Sequence, residues 1–156
     1  MDLVVRPRSP TDDGALVRLF TEMQAYYGVY CPPAETILGD LANLPAGIEI
    51  QVAETDAVIG FAIFSAIYPG PGLAAGFFLK EVFVSEACRE GGAGTALIQS
   101  VARIAVERGF KRVDWTAARN RQRLLAFYDR LGAIRQEDKV FFRLTGDALT
   151  RLAGKS

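Results

Sequence analysis

The sequence predicts an α+β fold around a mixed sheet. Three strand-like stretches follow one another, over 48–52, 58–68 and 75–84, with only Thr55-Asp56-Ala57 and the loop Pro69-Gly70-Pro71-Gly72 between them. Directly afterwards the apolar period changes from strand-like to helix-like across Arg89-Glu90-Gly91-Gly92-Ala93-Gly94-Thr95. One further strand, over 111–117, and one further helix, over 122–131, come next. Strands in a run, then single alternations, give a mixed sheet and exclude a doubly wound fold.

The other elements follow from local chemistry. Leu3 to Arg6 reads as a short edge strand stopped by Pro7. Ser9-Pro10-Thr11-Asp12-Asp13 supplies capping groups for a helix. That helix carries one apolar stripe, Leu16, Leu19, Phe20, Met23, Tyr26 and Tyr27, and Gly28 ends it. A second short helix is expected over 34–44, with Ile37, Leu38, Leu41 and Leu44 inward. Ile48, Ile50 and Val52 alternate with Glu49 and Gln51, giving a strand with one wet face. After the glycine-rich turn, Leu97, Ile98, Val101, Ile104 and Ala105 face inward on a helix closed by Gly109. Val113 and Trp115 share one face of the next strand, and Leu124, Phe127, Tyr128 and Leu131 one side of the next helix, which stops at Gly132. Two last strands are expected over 133–136 and 140–144, followed by a short amphipathic tail with Leu149 and Leu152.

Composition narrows the function. A chain of 156 residues, 50% hydrophobic and 23% charged, suits a single globular domain over 1–156. Lys and Arg total 18 against 18 acids, so no overall field draws the chain to nucleic acid or to an anionic membrane, and neither is an expected partner. Cys31 and Cys88 make no disulfide framework and no zinc spacing, and read as two reduced thiols. Histidine is absent, so a general base must be Asp, Glu, Tyr or water, and no metal is expected. MDLVVRPRSP holds no long apolar core of a signal peptide, and no 18-residue uncharged apolar run exists, so the reading is a cytoplasmic protein.

The stretch over 78–97 is the most informative. A strand, a glycine loop and a helix N-terminus in that order make an anion site, because loop and first-turn N–H groups lack intrahelical partners and the helix dipole adds positive charge. Glycines let the backbone approach a phosphate closely. There is no Walker lysine, and Gly92-x-Gly94-x-x-Leu97 lacks the third glycine of a dinucleotide fingerprint.

Two motifs resemble those of the GNAT superfamily of acyl-CoA-dependent N-acetyltransferases. Arg89-x-x-Gly92-x-Gly94 is similar to its R/Q-x-x-G-x-G/A signature after the fourth strand. Asn120 with Phe127-Tyr128-Asp129-Arg130-Leu131-Gly132-Ala133 is similar to its asparagine and FYxxLGA helix end. Within the superfamily the chain looks most like the spermidine/spermine (diamine) acetyltransferase branch, through Leu79-x-x-x-Phe83-Val84, the RIAVERG helix end and Leu144-Thr145-Gly146-Asp147-Ala148-Leu149. It departs from that branch at Lys80-Glu81, where two acids are usual, and at Arg119, where tryptophan is usual. Lys80 repels a polycation if it faces the acceptor.

The resemblance implies a mostly antiparallel sheet with helices on both faces and splayed fourth and fifth strands. It implies acetyl-CoA as co-substrate, a small-molecule primary amine (amine, diamine or amino-acid-like) as acceptor, and a homodimer. The alternatives are acetylation of a protein N-terminus or lysine, and a non-catalytic acyl-CoA-binding module. The pyrophosphate is then expected on the N–H groups of Glu90, Gly91, Gly92, Ala93, Gly94 and Thr95. Arg89 adds a contact to it or is an ordinary surface arginine. The pantetheine arm is expected along the backbone of Val82, Phe83 and Val84, with an N–H near Val82 or Phe83 polarising the thioester. Asn120 hydrogen-bonds the cofactor or caps the helix at Gln122, and Phe127 belongs to the same cofactor motif. Tyr128 is expected to protonate the departing thiolate, against a role in core packing. Glu81 is the candidate base, its carboxyl suited to that task if burial raises its pKa. Strand parity puts Lys80 and Glu81 on opposite faces without saying which meets the substrate; water, Tyr26, Tyr27 or Tyr30 serves if Glu81 does not. Direct attack by the amine is the expected course, rather than an acyl intermediate on Cys88.

Overall fold

The computed structural model describes residues 2–155. Contacts divide the chain into two compact units, one through Thr116 and one from Ala117 on.

In the first unit the order is β1 (Val4–Pro7), α1 (Asp13–Tyr27), α2 (Ala34–Ala42), β2 (Ile48–Glu54), β3 (Val58–Ile67), β4 (Gly76–Val84), α3 (Ala93–Glu107) and β5 (Val113–Asp114). The strands form one sheet in the order β1-β2-β3-β4-β5. The first four are antiparallel neighbours, and β5 runs parallel to β4. The expected mixed sheet is therefore present.

Alternation sorts the side chains into two layers. Ile50, Val52, Phe61 and Phe83 form one core cluster with Leu16 and Leu19 of α1 and Ile37 and Leu41 of α2. Phe64 and Phe77 are fully buried on the opposite face, their rings 4.9 Å apart, and Phe77 also meets Phe110 at 4.9 Å, just beyond α3. α3 buries Leu97, Ile98, Val101 and Ala105. Gly28 (φ 67°) stops α1, as a residue without a Cβ allows.

β1 is fastened to α1 by charge. Both Arg6 guanidinium nitrogens Nη1 and Nη2 donate to Asp12, at 2.8 and 2.9 Å, and Asp12 is only 5% exposed. Arg6 holds the Asp12 carboxyl well below the usual carboxylate range, at about 2, and the Ser9 backbone N–H adds to this. The pair's stabilisation is complete above the unfolded value and is lost as pH falls towards about 2. Asp12→Ala leaves Arg6 without its main partner and is expected to cost about 3 kcal/mol, read by urea unfolding at neutral pH. The deficit relative to wild type should shrink on acidification.

Several expectations fail. Leu38 is exposed on α2 and does not face inward, and β2 has no wet face at Gln51, which is buried on the side of the sheet that carries α3. The strand expected over 111–117 is only the two residues of β5. Lys111 N–H still donates to Ala75 O at 3.1 Å and Phe77 N–H to Arg112 O at 3.0 Å, but the pairing ends at Phe78–Asp114. Among the described residues, neither of the last strands, over 133–136 and 140–144, forms. A strand exists through pairing, and its propensity measures fit to a half-buried pleated surface. Phe141 and Phe142 are 63% and 87% exposed, so no such surface holds them.

The second unit contains α4 (Gln122–Arg130) and α5 (Gly146–Leu152). Gly132 (φ 93°) follows α4 as its expected stop. Among the described residues no helix is long and apolar enough to cross a membrane.

Candidate active site

β4 does not keep a single register with β3. Glu81 lies opposite Ile63, but Phe64 lies opposite Leu79, so Lys80 is an extra residue. This bulge breaks the strict alternation on which the parity of Lys80 and Glu81 depended. Directly opposed residues share a face, so Glu81 sits with Ile63, Phe61 and Phe83 on the α1–α2 side. Lys80 is exposed at the bulge. Tyr27, in the last turn of α1, donates its hydroxyl to Glu81 Oε1 at 3.2 Å. Partial burial pushes the Glu81 carboxyl above its ordinary range, while the Tyr27 hydrogen bond and the Lys80 charge pull it back.

The far end of β4 leads into the glycine loop. Ser85 N–H donates to Ile59 O at 2.8 Å, so Ser85 and Phe83 turn their backbone groups towards β3. Val82 and Val84 therefore turn theirs the other way, towards the edge that β5 pairs only at Phe77 and Phe78. The Phe83 N–H belongs to the sheet, and its ring is buried beside Phe61 at 6.1 Å.

Arg89 takes a role beyond the two open from the sequence. Its Nε donates to Val84 O at 3.0 Å, and its guanidinium lies 4.7 Å from the centre of the Tyr26 ring and 5.3 Å from that of Phe83. It ties the loop to α1 through cation–π contacts. Glu22 makes a second tie: Ser85 Oγ donates to Oε1 at 2.9 Å and Glu86 N–H to Oε2 at 2.8 Å. Nothing in the apolar period of α1 pointed to Glu22, because its partners lie more than sixty residues away.

The loop is shaped by backbone conformation. Glu90 has φ 72° and Gly92 φ 85°. Left-handed turns among helical residues present successive N–H groups to one concavity, an anion nest. The Glu90 side chain is exposed. The first helical bond of α3 runs from Ala96 N–H to Gly92 O at 3.0 Å, which places the N–H groups of Ala93, Gly94 and Thr95 ahead of the ladder. No acid occupies the first turn of α3. These donors fit a pyrophosphate. The glycines differ in what they require: at Gly94 an added Cβ would meet only Val84 Cγ2 at 4.0 Å, whereas Gly92 is held at a positive φ. Gly92→Ala is expected to cost about 1 kcal/mol of stability, and Gly94→Ala essentially none, measured by urea unfolding. A Gly92→Ala protein as stable as wild type would remove the conformational argument.

Residues 16–133 match the acetyltransferase (GNAT) family. The chain belongs to that family. It is 36% identical over 92 residues, 59% of its length, to L-ornithine N5-acetyltransferase from Arabidopsis thaliana, and covers 40% of that protein. It is 31% identical over 98 residues to tyramine N-feruloyltransferase 4/11 from Nicotiana tabacum, with 63% of this chain and 43% of the relative aligned. The chain thus spans less than half the length of these curated relatives. Among solved structures, an integron cassette protein from the mobile metagenome of V. cholerae superposes with a TM-score of 0.88 at 28% identity, over 98% of each chain. An aminoglycoside acetyltransferase from an uncultured soil sample shares the fold alone, with a TM-score of 0.76 at 18% identity over 93% and 97% of the two chains.

In this GNAT chain the first unit brings together Glu81, Val82, Phe83, Val84, Arg89 and the loop from Glu90 to Thr95. Asn120, Phe127 and Tyr128 lie in the second unit. Arg121 occupies the N-cap of α4, so Asn120 stands one residue ahead of the cap position. Phe127 and Tyr128 are both half-buried, with ring centres 5.4 Å apart. Cys88 is half-buried in the turn over Glu86–Cys88, and both cysteines are free thiols.

Proposed function

We propose that this protein is an acyl-CoA-dependent N-acetyltransferase that moves an acetyl group from acetyl-CoA to a primary amine of a small molecule. The observation that carries this reading is the outward-turned backbone of Val82 and the Val84 N–H, with Val84 O engaged by Arg89, beside an anion nest at the N-terminus of α3. A peptide-like arm pairs with such an edge as an added strand, while its phosphates meet the nest. The two curated relatives are named for acyl transfer to ornithine and to tyramine, which supports an amine acceptor.

Acetyl-CoA supplies an activated thioester. Val82 N–H is assigned to its carbonyl oxygen, where negative charge develops as the amine attacks. Glu81 receives the proton from the amine nitrogen, and Tyr128 protonates the departing sulfur. Asn120 is assigned to the cofactor, as the GNAT pattern implies.

Thermal unfolding tests the cofactor. At a hundredfold excess over Kd, a native-state ligand adds about 2.7 kcal/mol, worth roughly 5–10 °C in Tm for a chain of this size. CoA and acetyl-CoA are expected to give this shift, and ATP and NAD none. The reverse pattern would sink the reading. We also assign the exposed run Val140, Phe141 and Phe142 to a homodimer contact. Light scattering should give the mass of two chains, and Phe142→Ser should lower it; a wild-type protein that stays single at high concentration would refute the assignment.

A further inference from the structure

Between α1, α2 and the sheet lies a cavity of about 260 Å³. Phe20, Met23, Ile37, Leu41, Ile50 and Ile63 form most of its wall, and Asp40 and Gln24 stand among its few polar lining residues. Glu81 does not line it, but two of its walls lead to Glu81. Ile63, in the cavity wall, is directly opposite Glu81 in the β3–β4 ladder, where facing side chains are about 5 Å apart at Cβ. Met23 and Gln24 lie one helical turn before Tyr27, whose hydroxyl holds Glu81. The lip is braced: Gln24 Nε2 donates to Tyr30 O at 2.7 Å, which fixes the chain leading to Cys31.

We propose that this cavity receives the apolar end of the acceptor while its amine nitrogen lies at Glu81. The acceptor is then a primary amine with one compact apolar group, a single aromatic ring or a short branched alkyl chain. This rests on the acetyltransfer reading and names its substrate class.

Size, polarity and charge argue together. Pockets for drug-sized ligands run from about 300 to 1,000 Å³, so this one suits a single ring or a comparable alkyl group. A second ammonium or a sugar hydroxyl pushed among Phe20, Ile37 and Ile63 would lose its hydration, and Asp40, the lining carboxylate, is solvent-exposed and not among those apolar walls. Lys80, exposed at the bulge beside Glu81, disfavours a second positive charge nearby. The departure from two acids at this place in the strand therefore works in the same direction as the cavity.

The test compares phenethylamine and isoamylamine with methylamine, putrescine and spermidine, by release of CoA thiol. The apolar amines should exceed methylamine and both polyamines in kcat/KM by about 10- to 200-fold, the range a single hydrophobic pocket supplies. Cys31→Phe, which fills the pocket from a half-buried lining position, should abolish most of that preference, bringing phenethylamine down towards methylamine. Met23→Ala, which enlarges the pocket, should shift the preference to bulkier amines and serves if Cys31→Phe fails to fold. Polyamines turned over as well as phenethylamine, or a preference untouched in a folded filled variant, would overturn the proposal. Binding is read separately from turnover. Phenethylamine should raise the Tm of wild type and not of Cys31→Phe, and no rise in wild type overturns the cavity assignment. A chain that shows this amine shift but no Tm shift with CoA refutes the acetyltransfer reading instead.

Discussion

Glu81→Gln is expected to lower kcat/KM for amine acetylation by about 10²- to 10⁴-fold, the range a positioned general base supplies. The change keeps shape and hydrogen-bonding capacity but removes the ability to accept a proton. Glu81 lies at a bulge, half-buried, under the Tyr27 hydroxyl, and the cofactor is assigned to backbone groups of Val82 and of the loop over 90–95, which a side-chain change at Glu81 does not remove. The Tm rise with CoA should therefore survive. The pH profile gives a second reading. Burial raises the carboxyl's pKa, so wild-type activity should fall on acidification through a value above the usual carboxylate range, and Glu81→Gln should lack that limb. Tyr27→Phe removes a hydrogen bond that favours the charged carboxylate, so its acid limb should move to higher pH while its alkaline plateau stays near wild type. The stability sign is opposite to that of Asp12. The folded chain holds the Glu81 proton more tightly than the unfolded chain, so this group's contribution improves as pH falls through the raised value. A rate unchanged by Glu81→Gln would transfer the base role to water or a tyrosine.

Much of the fold was legible because it is written locally. The stripe from Leu16 to Tyr27, the strand over Ile48 to Val52 and the stops at Gly28 and Gly132 need only neighbours a few residues apart, whereas the burial of Gln51 on the face expected to be wet depends on distant packing. The run Val140-Phe141-Phe142 has the composition of a strand, but a strand needs a partner edge, and composition does not carry that information. β5 shows the same limit. Its apolar residues extend past Asp114, yet its pairing with β4 stops there.

The site divides along the same line. The nest over Glu90 to Thr95 was readable, since glycine spacing and the change of period are both local. The orientation of Glu81 was not. It depends on one extra residue, Lys80, and the bulge appears only once Ile63 and Phe64 are matched to their partners across the ladder. Strict alternation left Lys80 and Glu81 as rivals for one face; the bulge instead gives Glu81 the α1–α2 side and Lys80 an exposed position. Arg89 is a further case. Its motif position suggested phosphate, while Val84 O and the rings of Tyr26 and Phe83 engage its side chain.

Tyr128→Phe is expected to lower kcat by about 10²-fold, at the low end of the range for a general acid. The low end follows from the leaving group. A thiol of ordinary acidity, with pKa near about 8.5, departs far more readily than an alkoxide, so proton donation assists it less. The substitution removes one oxygen and keeps the ring, which packs 5.4 Å from Phe127 on α4. A packing role would thus be largely preserved, and the affinity for CoA should change little. The two substitutions are also separable. Glu81→Gln removes the acid limb, Tyr128→Phe keeps it while lowering kcat, and each effect is read on the same substrate. If Tyr128→Phe instead lowers Tm and leaves the rate of the folded protein at the wild-type value, the tyrosine is a packing residue and the departing sulfur takes its proton from water.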